Sequence, residues 1–390
     1  MAKETHINQP SNIMTELHVE LRVIASAADL DAVRTEWRAF LDRPTVTAGF
    51  FTEPSVQEQD AGFGNGGCLV LGKVHQHDDL VAIVPLLCRK TQVSVRFGLV
   101  NLFRQVIRVA KLPDFEFPRE EAVNPFEVFS AIISALQEHP RLADMVSVDS
   151  APEPPSGYLR STFTMSGVQT TYVIQVEGDF GTYERKLASK SRKKIKRYIR
   201  KLEETAGASV HTVCYRTPEE MNALFEQLTR VWEKSWHARV GRQHVPSESY
   251  LKKLAQSGWI RAYVLVVGDQ PVASVLGFQY RGSYYYEAPA YNQDWQDRSP
   301  GIVLLFYLLK DLYERDRPTR FDFGFGYGQY KEVFGTHEER RGVIRVGITE
   351  SGKLIVSIQA VSDLVFKWSK KVLDRTGLLR LIKKRIREGK

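Results

Sequence analysis

The sequence predicts an α+β protein made of two successive units, each a mixed, mostly antiparallel sheet flanked by helices. At 390 residues the chain is longer than one ordinary hydrophobic core requires, so two domains are expected. Strand-like and helix-like periodicities follow one another in the same order in both halves: helix, hairpin strands, helix, strand. This repetition indicates a duplicated α+β domain.

Composition restricts the class of protein. The hydrophobic fraction of 43% and the charged fraction of 26% are typical of a globular domain. No apolar run is long enough to cross a membrane, and residues 1–16 lack the apolar centre of a signal peptide. The three cysteines (Cys68, Cys88 and Cys214) show no metal-ligand spacing, and the histidines show none beyond His75-x-His77, which lies in a predicted hairpin turn. These features predict a cytoplasmic protein without a bound metal.

The first half is predicted as strand, helix, hairpin, helix and strand. Alternating apolar residues indicate strands, and apolar residues three and four apart indicate helices. The polar segment 75–79 separates two apolar runs and reads as a hairpin turn. The predicted elements are a strand at 17–23, a helix at 29–41, hairpin strands at 67–72 and 80–87, a helix at 125–136 and a strand at 145–149.

The second half repeats this order. After a strand at 171–175, the stripe Tyr183, Leu187, Ile195, Tyr198 and Leu202 predicts one basic helix that ends at Gly207. Tight turns at 268–271 and 281–282 indicate antiparallel hairpins. The further predicted elements are a helix at 221–236, strands at 260–267, 272–280, 283–288, 320–323 and 343–348, a helix at 302–315, a short helix near 330, and helix from 358 onward.

The net charge of +8 is concentrated in two segments. Residues 185–201 contain ten basic residues and no acid, and residues 367–390 contain ten basic residues against two acids. The remainder of the chain therefore carries about ten net negative charges. The basic segments, rather than the body, are the candidates for contact with an anionic partner.

Two loops carry most of the candidate chemistry. The segment 322–331, DFGFGYGQYK, alternates glycine with aromatic residues and brings one acid, two phenols and an ammonium together. The segment Arg298-Ser-Pro-Gly-Ile302 opens a helix, where free N–H groups and a small residue suit a pyrophosphate. An ordinary helix start is the alternative interpretation of the second loop. The DFG tripeptide lacks the other motifs of a kinase.

The second half resembles the CelD-like acetyltransferases of the GNAT superfamily and, more distantly, the Fem-type aminoacyl transferases. Four features over about residues 180–348 carry this resemblance. The basic segment 191–197 is similar to the family's Arg-rich helix, and Pro271-Val-Ala273 to its "piA" turn. Ser299-Pro-Gly301 is similar to its "SPG" loop, although Val303 departs from the superfamily pattern. Asp322-Phe-Gly with Tyr330-Lys331 resembles its closing motif, and Ile83-Val-Pro-Leu86 links the first half to a degenerate GNAT-like unit.

The resemblance implies a site for an acyl-CoA donor. The pantetheine would lie along the strand 283–288, where backbone amides polarise the thioester carbonyl. The residues expected to bind the donor are Tyr285, Tyr286, Arg298, Ser299, Pro300, Gly301 and Ile302.

The resemblance also implies the catalytic residues. Glu287 is a candidate general base, and Asp322 is its rival. Tyr330 and Lys331 are candidates for protonating the leaving thiolate or binding an anionic part of the acceptor. Each has a plainer alternative: Glu287 as a solvated residue at a strand end, Asp322 as a cap of its own loop, Tyr330 as a packing residue, and Lys331 as a solvated helix residue.

Substrate contacts are expected from Trp236, Tyr327 and Arg192. The basic helix that contains Arg192 is interpreted as a structural element linking the two units that also contributes to binding an anionic substrate. A solvated charged face, or a surface for nucleic acid or lipid, remains open. The C-terminal helices, with Leu378, Leu379, Ile382 and Ile386 opposite basic residues, suit an anionic membrane surface or packing on the body.

We therefore predict an N-acyltransferase that uses acetyl-CoA or another acyl-CoA and acts by direct attack of an amine in a ternary complex. By resemblance, the acceptor is a small molecule, an amino sugar or a cell-envelope or polysaccharide precursor, handled in the cytoplasm or at the inner face of the membrane. The alternatives are a Fem-type enzyme that uses aminoacyl-tRNA and a non-catalytic membrane-associated scaffold. The predicted domains are a tail at 1–16, a degenerate GNAT-like domain at 17–172, the GNAT acyltransferase domain at 173–350 and basic helices at 351–390.

Overall fold

The chain divides into two compact units. The computed structural model describes residues 17–63, 66–97, 100–154, 164–206, 209–239 and 245–375. Unit 1 comprises Met1–Asp149, Pro154–Ser166 and Ile344–Lys390, and unit 2 comprises Ser150–Glu153 and Gly167–Val343. Each unit contains strands and helices, which confirms the predicted α+β class with a mixed sheet flanked by helices.

Unit 1 is built on a sheet whose strands lie in the order β1-β3-β4-β5-β7. All neighbours in it are antiparallel except β5 and β7, which are parallel. A short pair, β2 and β6, adjoins β4. The strands are β1 (Leu17–Ile24), β2 (Val46–Thr47), β3 (Cys68–Gln76), β4 (Asp79–Phe97), β5 (Val100–Leu112), β6 (Arg119–Glu120) and β7 (Met145–Pro152).

The helices of unit 1 pack on this sheet through apolar faces. α1 (Ala27–Leu41) begins at a capping box, in which Ser26 and Asp29 satisfy each other's backbone N–H groups, and it buries Trp37 and Phe40. The other helices are α2 (Pro54–Ala61), α3 (Pro125–Glu138) and α11 (Glu350–Arg375). Ile355 of α11 packs in a small core with Ile107 and Met145.

The strands of unit 2 lie in the order β14-β8-β13-β12-β11-β10-β9. The pairs from β8 to β9 are antiparallel except β12 and β13, which are parallel. The strands are β8 (Thr164–Gln175), β9 (Val210–Tyr215), β10 (Ala262–Val267), β11 (Gln270–Tyr280), β12 (Ser283–Tyr291), β13 (Arg320–Asp322) and β14 (His337–Gly347), of which residues 337–343 belong to this unit.

A large apolar core lies between this sheet and its helices. Leu304, Leu305 and Leu308 of α9 are fully buried against strand residues such as Tyr284 and Phe321. The helices of unit 2 are α4 (Phe180–Lys186), α5 (Ser189–Ala206), α6 (Met221–Glu233), α7 (Trp236–Arg239), α8 (Glu248–Gln256), α9 (Pro300–Glu314) and α10 (Gln329–Phe334).

The prediction of one continuous basic helix is wrong, because the chain breaks between α4 and α5. Leu187 has extended backbone angles (φ −67°, ψ 140°) and its side chain is buried. The guanidinium of Arg192 then donates to the carbonyls of Arg185 (2.8 Å) and Glu184 (3.4 Å). The bond to Arg185 supplies a donor at the end of α4, where helix carbonyls lose their helical partners, and the carbonyl of Glu184 also accepts from the N–H of Leu187 at 3.2 Å. The predicted stop at Gly207 lies outside the described residues.

Other boundaries also differ from the prediction, including the end of β4 at Phe97 and the start of β14 at His337. The helix predicted at 221–236 ends at Glu233, and Trp236 starts the separate helix α7. The last helix begins at Glu350 rather than at residue 358. Among the described residues, no helix combines the length and the apolar character that crossing a bilayer requires. The tail at 1–16 and the amphipathic segment with Leu378 to Ile386 lie outside the described residues.

Candidate active site

Strands β12 and β13 pair over only three positions and then separate. The parallel register runs from Ser283 opposite Arg320 to Tyr285 opposite Asp322, where β13 ends. β12 continues to Tyr291. Among the described residues, its positions 286–291 are not paired with β13. Backbone amides and carbonyls on that edge are therefore available to a ligand that adds along it.

A bulge bends β12 within this open stretch. The pairing with β11 shifts between Ser274–Ala290 and Leu276–Glu287, so β12 carries an extra residue there. Ala288 takes a left-handed conformation (φ 44°), which is strained for a residue with a Cβ. Pro289, which cannot donate to a ladder, follows it. A proline directly after the predicted strand 283–288 is the sequence signal that could have located this bulge.

Glu287 stands at the bulge and faces the glycine loop. A Cβ built on Gly324 would lie 3.6 Å from Oε1 of Glu287. Burial, reinforced by the charge of Asp322 and opposed by that of Lys331, raises the pKa of the Glu287 carboxyl from 4.5 to about 7. A carboxyl with a pKa near neutrality is suited to accept a proton from an amine.

Asp322 is held in the structure by two hydrogen bonds. Its Oδ1 accepts from the backbone N–H of Gly324 at 2.7 Å, and its Oδ2 accepts from Arg320 at 3.2 Å. Arg320 is in turn fixed by Glu339 at 2.6 Å. Asp322 thus caps its own loop, which the sequence analysis gave as its second interpretation. Arg320 and Glu339 were not predicted as residues of the site, because they form an ion pair across 19 positions of the chain.

Lys331 is buried rather than solvated. Only 6% of the residue is exposed, and its Nζ donates to the carbonyl oxygen of Gly324 at 3.0 Å. Burial lowers the pKa of its ammonium, although the carboxylates of Asp322 and Glu287 both act to raise it. Lys331 therefore holds the glycine loop and counterbalances two acids.

Tyr330 lies beside the same carboxyl. Its ring packs against Tyr286 and Phe323, with centroids 6.2 and 6.0 Å away. Burial and the charge of Glu287 raise the pKa of the Tyr330 phenol to about 12. The phenol is consequently protonated at neutral pH and is a hydrogen-bond donor.

The start of α9 adjoins the end of the open strand. Ser299 takes a left-handed conformation (φ 50°) and makes no side-chain cap, and Pro300 occupies the first helical turn. A Cβ on Gly301 would meet only Tyr291, at 3.7 Å, so the space before the helix is open. The guanidinium of Arg298 stacks over Trp295 at 5.0 Å, and its buried Nε has no acceptor among the described residues. Ile302 uses its N–H for a bond to the carbonyl of Ser299.

The other residues predicted to bind the donor or the substrate lie in different environments. Tyr285 is paired with β11 and β13 on both sides, so Tyr286 is the first predicted donor-binding residue in the open stretch. The Tyr286 side chain is buried in the core, which leaves its backbone for a ligand. Trp236 and Tyr327 are exposed aromatic residues (51% and 71%), whereas Arg192 is engaged at the end of α4.

Comparison with known protein families finds a match within unit 2. Residues 189–332 match the family model of the acetyltransferase (GNAT) domain. A search of the curated proteins finds no match. Together the fold and the matched domain identify an acyltransferase with a GNAT domain.

Three solved structures share the fold. FemX is 11% identical with a TM-score of 0.53, covering 80% of this chain and 95% of FemX. L-PGS from Bacillus licheniformis is 15% identical with a TM-score of 0.51, covering 87% of this chain and 97% of its own. A conserved protein of unknown function from Bacteroides thetaiotaomicron VPI-5482 is 10% identical with a TM-score of 0.51, covering 84% of this chain and all of its own (100%). At these identities the likeness extends to the fold alone.

The Glu287→Gln variant should be more stable than the wild type in alkaline solution. The folded state raises the pKa of Glu287, so it disfavours the carboxylate and loses stability as pH rises from 4.5 through about 7. Glutamine lacks this ionisation. We expect the free energy of unfolding to rise by roughly 1–3 kcal/mol at about pH 8.5 and by much less at about pH 5.

Urea denaturation at the two pH values measures this difference. Glu350→Gln, which removes a carboxylate with a 90% exposed side chain, is the control. An equal effect of Glu287→Gln at both pH values would show that burial does not hold the Glu287 proton.

Proposed function

We propose that the protein is an acyl-CoA-dependent N-acyltransferase whose donor lies along the open edge of β12. The observation that carries this proposal is the divergence of β12 and β13, which exposes the backbone of 286–291 beside Glu287. The open start of α9 adjoins the same strand through Tyr291 and Gly301. One continuous surface therefore offers phosphate-binding N–H groups at one end and an acid–base group at the other.

The residues fit the parts of an acyl-CoA in order. The N–H of Gly301 and the unpartnered Nε of Arg298 suit the pyrophosphate, and Ser299 and Pro300 shape that loop. The amide-bearing pantetheine suits the unpaired edge from Tyr286 to Tyr291, as a strand added to a sheet. The thioester would then reach the bulge at Glu287 and Ala288.

The reaction follows from the groups at the bulge. The acceptor amine attacks the thioester carbonyl carbon, so an N–C bond forms and the C–S bond breaks. Glu287 takes the proton that the attacking nitrogen loses. Tyr330, which is protonated at neutral pH, donates a proton to the departing thiolate. Lys331 holds the glycine loop in place and offsets the charges of Glu287 and Asp322.

The acceptor is the part of the proposal that rests on resemblance. A CelD-like enzyme implies an amino sugar or a polysaccharide or cell-envelope precursor, handled in the cytoplasm or at the inner face of the membrane. Exposed Trp236 and Tyr327 suit stacking on a sugar ring. We further propose that unit 1 is a degenerate GNAT-like domain without a donor site of its own.

Transfer from aminoacyl-tRNA is the second candidate function. The fold shared with FemX and the cations of α5 favour it. It differs in the donor, so a donor screen separates the two candidates. Retention on aminoacyl-tRNA that is steeply lost with salt, without binding of any acyl-CoA, would replace the first proposal by this one.

Acetyl-CoA or a longer acyl-CoA should stabilise the protein against heat. A ligand at one hundred times its Kd adds about 2.7 kcal/mol to the free energy of unfolding. Gly301→Trp should abolish the stabilisation, because the indole fills the space before α9. Gly301→Ala is the matched control, since its Cβ meets Tyr291 at an ordinary 3.7 Å. Differential scanning fluorimetry with a series of acyl-CoAs measures both. Stabilisation that persists in Gly301→Trp would place the donor elsewhere.

The pH dependence of turnover should separate Glu287 from Asp322. With Glu287 as the base, kcat/KM rises with pH through about 7, and Glu287→Gln removes this rise and lowers the alkaline plateau about 10²–10⁴-fold. Asp322→Asn keeps an oxygen to accept from Gly324 but removes a charge that raises the pKa of Glu287. It should therefore keep most of the activity and move the rise to lower pH. Loss of activity in Asp322→Asn with survival of Glu287→Gln would reverse the assignment.

A further inference from the structure

Four cations of α5 form a row along one flank of the helix. Lys190, Lys194, Arg197 and Lys201 recur at intervals of four, three and four residues, which places them one above another, and all are exposed. We call these four residues the basic row. Over eleven residues the row spans about 16 Å.

The basic row borders the loop that precedes α9. Tyr198, on the same flank, has the Nζ of Lys194 5.7 Å and the guanidinium carbon of Arg197 5.8 Å from its ring centroid. Partial burial opposes ionisation of this phenol, but the neighbouring Ser299 and the charges of Lys194 and Arg197 lower the pKa of Tyr198 overall. The Nζ of Lys201 donates to the carbonyl of Asp297 at 3.1 Å. The row is thus fixed beside the segment proposed to hold a pyrophosphate.

Ion pairing does not explain the row. α5 is anchored by Ile195 and Leu202, which are buried on another face. Lys190, Lys194 and Arg197 form no ion pair with any carboxylate among the described residues. Lys190 also lies in the first turn of α5, where the helix dipole disfavours a cation. Closely spaced, unneutralised cations repel one another until an anion binds between them.

We propose that the basic row binds the 3′-phosphate on the adenosine of coenzyme A and makes the enzyme selective for 3′-phosphorylated donors. The inference rests on the proposed function, because it places the adenosine end of the donor beyond the loop at Arg298–Gly301. A phosphate there meets Lys194 and Arg197, which flank Tyr198. Lys194 and Arg197 are three residues apart, with about 5–6 Å between their Cβ atoms, a separation that suits a single phosphate group between the two cations.

Binding of CoA and dephospho-CoA, which differ only in the 3′-phosphate, tests the inference by isothermal titration without any acceptor. We expect the wild type to bind CoA at least about tenfold more tightly than dephospho-CoA. The double variant Lys194→Gln/Arg197→Gln should lose that preference and bind dephospho-CoA as the wild type does. Lys196→Gln/Arg200→Gln removes the same number of charges from a neighbouring flank of α5, centred away from the basic row, and should preserve the preference for CoA over dephospho-CoA.

The other outcomes separate failure of the inference from failure of the proposed function. Equal binding of the two ligands by the wild type, or equal weakening of both by Lys194→Gln/Arg197→Gln, overturns the inference and leaves an acyl-CoA enzyme. Binding of neither ligand by the wild type overturns both. Loss of aminoacyl-tRNA binding in the same variant, without CoA binding by the wild type, assigns the row to RNA. Thermal melts of the variants check that each is folded.

Discussion

The site depends on how the backbone of Gly324 is held. Its N–H donates to the carboxylate of Asp322, and its carbonyl oxygen accepts from the ammonium of Lys331. Asp322 is partly buried and Lys331 is buried. With φ at 71°, Gly324 takes a conformation that favours glycine. These two bonds turn the chain out of the sheet directly after β13, so β12 loses its neighbour beyond Tyr285. A loop thereby creates an unpaired strand edge in the middle of a sheet.

The electrostatics of the site follow from the same arrangement. Asp322 and Lys331 are needed to shape the loop, and both lie close enough to Glu287 to act on its pKa in opposite directions. Burial exceeds the help from Lys331, so the proton stays on Glu287 up to about neutral pH. The structural role of Asp322 and the proposed catalytic role of Glu287 are therefore coupled: the residue that ends the strand also tunes the base beside it. Glu287 and Asp322 were both candidate bases from the sequence, and their surroundings give them different roles.

Much of the fold could be predicted because its signals are local. Alternation predicted the hairpin of β3 and β4 and the antiparallel run from β10 to β12, and apolar periodicity predicted α1, α3 and α9. The break between α4 and α5 could not be predicted, because the stripe from Tyr183 to Leu202 continues through it. The break depends on Arg192 reaching back to carbonyls of α4, a contact that periodicity does not record.

The residues of the candidate site could be predicted, but the contacts among them could not. The sequence placed Glu287, Asp322, Tyr330 and Lys331 in two segments, with Glu287 as the candidate base and Asp322 as its rival. Only three-dimensional contacts distinguish an aspartate engaged with Gly324 and Arg320 from a glutamate at a bulge. The burial of Lys331 could likewise not be predicted from the sequence, because a lysine in a polar helical segment is usually solvated.

The central claim is that the donor adds along the open edge of β12. Hydrogen exchange of the backbone amides, followed by mass spectrometry with and without acetyl-CoA, tests it most directly. The account predicts slowed exchange in peptides covering 286–291 and the start of α9, with no comparable change in β9 at the far edge of the sheet. Acetyl-CoA binding that leaves exchange over 286–291 unchanged would contradict it.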